Sequence, residues 1–384
     1  MTRTLFTGVA AADGRSPSLR RGLSLLTRDG TISYLGPTDA QPDPGDAEVV
    51  VCAGAVAVPA MVDCHAHFAG SSGPGWFRRM DVSLDERIRR GRDASRDLVR
   101  SGVLFARDVG APERSNLQIR DALRADRNAP LILAAGNWIA IRDKFFPFGR
   151  LLDSEADLVS AIEEELDAEA DLVKIVGDAG SNSEEATFST GELRRGVDLA
   201  HARGKRVAVH AQGAGARVAA EAGVDSIEHG HGIDASVAEL MRERTALVTT
   251  MQFFEIGLRY ADIFGGWLAE NRATLAAELE KTLAAVKCAH RAGVRIATGS
   301  DFGSLPRPGR LALEVELLVR AGLQPHEALA SATWVGGELL GIEHAGRLEE
   351  GAPATFVMVH GDPLSDPAAL SRVWRVYRDG RRLA

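Results

Sequence analysis

Val62-Asp63-Cys64-His65-Ala66-His67 closes a short apolar run, Ala55-Val56-Ala57-Val58, that is punctuated by Pro59. Side chains at i and i+2 of a strand lie on one face, so His65 and His67 point into the same space. Neutral imidazole is the commonest protein ligand for a metal ion. Taken alone, a His-x-His pair is more often two surface histidines, and the meaning of this stretch depends on the rest of the chain.

Working outward, polar groups end or nearly end later apolar runs. They are Lys174 in Asp171-Leu172-Val173-Lys174-Ile175-Val176, His210 in Arg206-Val207-Ala208-Val209-His210, His229 in Asp225-Ser226-Ile227-Glu228-His229-Gly230, and Asp301 in Ile296-Ala297-Thr298-Gly299-Ser300-Asp301. Strand candidates are Ala55–Val62, Val103–Asp108, Leu131–Ala135, Leu172–Val176, Val207–His210, Ser226–Glu228, Leu247–Met251 and Val294–Thr298. The segments between them have helical periodicity: Leu84, Ile88, Ala94 and Leu98 recur on one face, and Leu158, Ile162 and Leu166 recur at a spacing of four. Ser189-Thr190-Gly191-Glu192 and Ser83-Leu84-Asp85-Glu86 are capping boxes. Alternating strand and helix predicts an α/β fold with parallel strands and helices outside, and eight such units fit a (β/α)8 barrel of about 250 residues or more. Parallel strands end on one face, so the candidate ligands, far apart in sequence, converge on one mouth.

Both chain ends have a different texture. Leu23-Ser24-Leu25-Leu26, Thr31-Ile32-Ser33-Tyr34-Leu35 and Glu48-Val49-Val50-Val51 are strand-like, with a hairpin signal at Asp29-Gly30. Ala354 to Val359 and Arg372 to Tyr377 match them. These patterns predict a small β-sandwich from residues 1–55 and 346–384 around a barrel over 56–345.

The chain has 384 residues, 45% of them hydrophobic and 26% charged, which is ordinary for a globular protein. A net charge of -8 argues against nucleic acid or an anionic membrane as partner. Cys52, Cys64 and Cys288 form no disulfide framework and suit a reducing compartment. There is no signal-peptide core and no run of 18 apolar residues, so the expected location is the cytoplasm.

The ligand set and its flanks, Gly204-Lys205-Arg206-Val207-Ala208-Val209-His210, Gly223 to Gly230 and Gly346-Arg347-Leu348-Glu349-Glu350-Gly351, resemble the amidohydrolase superfamily. The likeness is to its imidazolonepropionase-like and prolidase-like branch and covers nearly the whole chain. It implies a metal-dependent hydrolase barrel flanked by a small β-sandwich. His65 and His67 would bind one divalent metal and His210 and His229 a second, with Asp301 completing the first. Lys174 would be carboxylated and bridge the two. Zinc is the first expectation, with manganese, cobalt or iron as alternatives. A hydroxide bridging the metals would attack an amide carbonyl, and Asp301 would act as general base and then acid. Asp63 would orient a ligand histidine through its other ring nitrogen; Cys64 faces the opposite way and packs.

The loops after the strands should select a small-molecule substrate, and Trp76, Asn137, Arg142, Gln212 and His231 are the candidate contacts. Arg142, Lys144 or Arg150 could clamp a carboxylate. The sequence departs from prolidase-like relatives in having Ala135-Gly136-Asn137 where many carry Gly-Gly-His, and Gln212 where many carry His or Tyr. Arg87, Arg89, Arg90 and Arg92 read as a solvated helix face. The resulting expectation is a binuclear amidohydrolase cleaving a peptide-like or N-acyl amino acid amide, compatible with a homo-oligomer. A cyclic amidohydrolase or lactonase on the same site, a one-metal deaminase and a silent binding barrel are the rivals.

Overall fold

A computed structural model describes residues 3–180, 183–309 and 311–384; Met1 and Thr2, with which the expected N-terminal segment begins, lie outside it. The chain ends share one sheet. Arg3–Ala11, Arg20–Arg28, Thr31–Pro37, Glu48–Val51 and Ala55–Pro59 join Phe356–His360, Val373–Arg378 and Arg381–Arg382. The connection runs through Phe356–His360, antiparallel to Ala55–Pro59 with Val357 opposite Val58. Phe6, Phe356 and Tyr377 fill its core, with ring centroids 4.9–5.3 Å apart. The Asp29-Gly30 hairpin forms as its residues demand: both take positive φ, 48° and 86°, in the turn that matches the twist of paired strands.

The apolar pattern predicts one strand over Ala55–Val62, and the structure divides it. Ala55–Pro59 pairs in the end sheet, and after Ala60 the chain enters a separate strand, Met61–Ala66, which carries the histidine pair. Pro59 has no N–H for a ladder, so the break falls beside it. Met61–Ala66 runs parallel to Val103–Asp108, which pairs with Leu131–Ala134. A second parallel run follows: Trp138–Ile141, Leu172–Val176, Arg206–Ala211, Ser226–His229, Ala246–Thr249 and Ile296–Thr298, in chain order. Helices separate most successive strands, as the alternating pattern predicts.

Two junctions link these sheets. At the first, the expected third strand, Leu131–Ala135, ends at Ala134, and in the Ala135-Gly136-Asn137 segment before Trp138–Ile141 buried Glu165 accepts from the Asn137 backbone N–H and side-chain amide and pairs with Arg114. Across the break, Asp171 N–H donates to Ala134 O at 2.9 Å. At the second, Asp301 N–H donates to His65 O at 2.8 Å and His67 N–H to Phe302 O at 2.9 Å. The last strand thus meets the first, at the point where both deliver their polar ends.

The Leu84–Arg100 helix buries Arg87, Gly91, Ala94, Ser95 and Leu98, a stripe of three- and four-residue steps. Arg87 is therefore not on the solvated face: it donates to Met80 O and Pro112 O and pairs with Glu113 at 2.9 Å. Arg89 and Arg92 do lie outside, Arg89 paired with Glu86; Arg90, also paired with Glu86, is half-buried and donates to Arg79 O at 2.8 Å. Among the described residues, no helix is long and apolar enough to cross a membrane.

Gly303 fixes the second junction. It has φ +91°, and a Cβ there would stand 2.0 Å from His67 O. Gly303→Ala should destabilise the protein by about 2–4 kcal/mol, from the strained backbone and the forced separation. Chemical denaturation would show this as a lower midpoint, and an unchanged midpoint would contradict the close approach.

Candidate metal centre

Strand ends deliver every member of the expected ligand set to one mouth. His65 lies on Met61–Ala66 with His67 just beyond, Lys174 on Leu172–Val176, His210 on Arg206–Ala211 and His229 at the end of Ser226–His229; Asp301 follows Ile296–Thr298. Parallel registry places His210 beside Glu228 and Ala211 beside His229. The histidines and Lys174 are buried. His229 and Asp301 both take positive φ, 74° and 50°. Such backbone costs about 1–3 kcal/mol in a non-glycine residue and persists only where its surroundings enforce it.

Hydrogen bonds set the histidine tautomers. His67 Nδ1 donates to Gly110 O at 2.9 Å, since a carbonyl can only accept. His65 Nδ1 donates to Glu228 Oε2 at 2.6 Å, and His229 Nδ1 meets Thr250 Oγ1 at 2.7 Å. With Nδ1 of His65 and His67 committed as donors, their Nε2 lone pairs are left for the mouth, which is the state a metal ligand needs. The Nε2 atoms of His65 and His67 lie 3.8 and 3.5 Å from Asp301 Oδ1. Potential ligand atoms of these three residues all fall within 4.8 Å of one another.

Burial sets the charges. It holds His65, His210 and His229 well below the usual histidine range and His67 at about 4, so all four rings are neutral; the nearby Lys174 charge adds to this. Desolvation brings Lys174 down to about 8 and pushes Asp301 up to about 7. Lys174 Nζ and His210 Nε2 are buried with no hydrogen-bond partner. Asp178, the acid that could have paired with Lys174, instead accepts backbone N–H groups of Gln212, Gly213 and Gly215. Unpartnered buried donors and acceptors are costly. Neutral imidazoles, a carboxylate and a lysine deprived of a partner form a donor set that fits divalent cations, and these residues could hold them.

The carboxylate that holds the His65 ring is Glu228, not Asp63. Asp63 accepts from the His65 backbone N–H and from Ser300, and so ties the first strand to the last. Glu228, fully buried, bonds the His65 ring at one oxygen; the other accepts from Arg107 Nη2 at 2.8 Å and Ser226 Oγ at 2.6 Å. Sequence reading missed Glu228 and Arg107. Their signal was available: each is a charge inside a buried strand, which requires a partner. Cys64 packs away from the mouth, against Gly336.

A cavity of about 280 Å³ opens over the centre. Of the expected substrate contacts, Trp76, Gln212 and His231 line it. Asn137 and Arg142 do not: Asn137 is held by Glu165, and Arg142 pairs with Asp153 at 2.6 Å on the surface. Arg150 is committed to Glu164, and Lys144 lines a different depression. The basic loop is thus not a carboxylate clamp. Phe145, Phe146, Phe254 and Glu278, none of them singled out by sequence, complete much of the wall.

A model of the amidohydrolase family matches residues 56–383. An uncharacterised protein of Mycobacterium tuberculosis is 31% identical over 334 residues, 84% of each chain. Ochratoxinase of Aspergillus niger is 29% identical over 366 residues, 83% of this chain and 74% of its own. A solved structure of a Xaa-Pro dipeptidase with methionine bound in its active site superposes with a TM-score of 0.86 at 25% identity, covering 99% of both chains. Structures of this kind imply a TIM barrel with an additional domain.

Removing one partner of a buried ion pair strands the other. Arg107→Met should therefore cost about 3–5 kcal/mol of stability, measured by denaturant unfolding. A loss below about 1 kcal/mol would mean that the Glu228 charge is balanced elsewhere.

Proposed function

This chain belongs to the amidohydrolase family and is a hydrolase acting on carbon–nitrogen bonds, and we propose that it uses two divalent metal ions to hydrolyse the amide bond of an N-acyl, peptide-like substrate. In this account the parallel strands close into one (β/α)8 barrel that begins at Met61, and the chain ends form the accessory β-domain. The observation that carries the proposal is Lys174. Its amine is buried, unpartnered and set among neutral imidazoles, with burial bringing it down to about 8. An ammonium there would repel metal; the neutral amine can add carbon dioxide to give an anionic carbamate with two ligand oxygens. His65, His67 and Asp301 would hold one cation and His210 and His229 the other, with Lys174 between them.

Bound cations would supply Lewis acidity for the carbonyl and a water activated near neutral pH. The chain's own residues do the rest. Glu228 and Gly110 O hold the His65 and His67 rings through Nδ1, which keeps Nε2 aimed at the mouth. Asp301 stands within 4 Å of both rings and takes the proton of the attacking water. It then delivers that proton to the departing nitrogen, so that acid and amine leave neutral overall. Aromatic side chains line much of the wall above the centre.

Asp301→Asn removes the proton shuttle but keeps an oxygen at the metal. We expect kcat to fall by about 10²–10⁴-fold while elemental analysis still finds metal. Undiminished kcat would remove Asp301 from the acid–base role.

A further inference from the structure

The cavity over the centre is built for a ring. Trp76 stacks nearly parallel to His67, with centroids 6.3 Å apart and planes at 15°, and Trp138 meets the same histidine edge-on at 5.7 Å. Phe145 lies 4.9 Å from the His210 ring and 4.8 Å from Phe146, which touches Trp76 at 5.2 Å. Two loops, one bearing Trp76 and the other Phe145 and Phe146, therefore close one wall through aromatic contacts alone. On the other side Phe254 packs on His231 at 5.1 Å. A planar apolar group between these walls would have a π-face or ring edge on each side, at the offset and perpendicular geometries aromatic pairs favour.

The polar groups of the same cavity say what the substrate lacks. Among the described residues that line it, Lys174 is the only lysine or arginine, and it is committed to the centre. Beyond the centre, Glu278 lines the cavity, 3.4 Å from His231 Nδ1, and is ion-paired through Oε1 with Lys281 at 2.8 Å. With Lys281 engaged by Glu278, no lysine or arginine of the described lining beyond the centre is placed to pair with a substrate carboxylate, which would be desolvated there without a partner. His231 is buried, and its Nε2 has no hydrogen-bond partner. It offers one hydrogen bond to a neutral substrate atom such as an amide N–H or carbonyl.

We propose that this cavity selects an amide bearing an aromatic group and no carboxylate, with the ring held between the Trp76–Phe146 wall and Phe254, and His231 and Glu278 facing the uncharged remainder. The inference rests on the amidohydrolase reading above and narrows it. The reaction is then hydrolysis of an aromatic acyl-amine. Water oxygen bonds to the carbonyl carbon, the C–N bond breaks, and one water proton goes to the nitrogen, giving a carboxylic acid and an arylalkyl or aryl amine.

The test uses the metal-loaded full chain and three compounds that share one scissile bond. These are N-acetyl-2-phenylethylamine, N-acetylphenylalanine, which adds a carboxylate, and N-acetyl-3-methylbutylamine, which removes the ring. Binding is read separately from turnover, by quenching of tryptophan fluorescence. The expected result is kcat/KM and affinity for the first compound at least about tenfold above either of the others. Glu278→Gln should narrow the gap between the first and second. Equal or better handling of the carboxylate compound, by turnover or by binding, would overturn the proposal. So would indifference to the ring. Selective binding of the first compound with no amide cleaved would leave this selectivity standing and overturn the hydrolytic reading instead.

Discussion

Glu228 is fully buried in the Ser226–His229 strand, and its two oxygens face in different chemical directions. One accepts from the ring of His65 and the other from the guanidinium of Arg107 and the hydroxyl of Ser226. A carboxylate this deep is tolerable only because every side of it is answered. Its pairing ties the first, second and sixth strand positions together below the mouth, and Arg107 also donates to Cys64 O on the first strand. The His65 tautomer follows from it, and with that tautomer the aim of Nε2. The proposed metal centre would therefore depend on a charge pair that lies outside the candidate ligand set.

Above that layer the site is short of hydrogen bonds rather than rich in them. Lys174 Nζ, His210 Nε2 and His231 Nε2 are buried without a hydrogen-bond partner. Folded proteins leave few such atoms, and each calls for a reason. Under the proposed function, cations between the first two and a substrate against the third would supply one. Strain points the same way: positive φ at His229 and Asp301 falls on two of the six ligand positions, where the strand ends must bend to bring side chains inward.

Much of this was legible in the chain. Polar residues at the ends of apolar runs marked residues that converge because a strand's side-chain direction is fixed by alternation, and His65, Lys174, His210 and His229 all face one mouth. The hairpin at Asp29-Gly30 and the cap at Ser189 formed for reasons local to a few residues. What periodicity does not fix was lost. Arg142 and Asn137 sit in loops, and their side chains went to Asp153 and Glu165, partners distant in sequence or hidden on another helix. Asp63 was assigned the ring contact that Glu228 makes, because adjacency in sequence stood in for a contact across the strands. Ala55–Val62 read as one strand because its hydrophobicity is continuous, although hydrogen bonding divides it at Ala60.

The central claim is that Lys174 lies between two metal ions. The most direct measurement is the number of divalent transition-metal atoms per chain in the purified protein, by elemental analysis after metal and bicarbonate are supplied and excess metal is removed. The account predicts about two. One atom per chain would contradict it, because Lys174 would then be an unmodified amine and the hydrolytic site mononuclear.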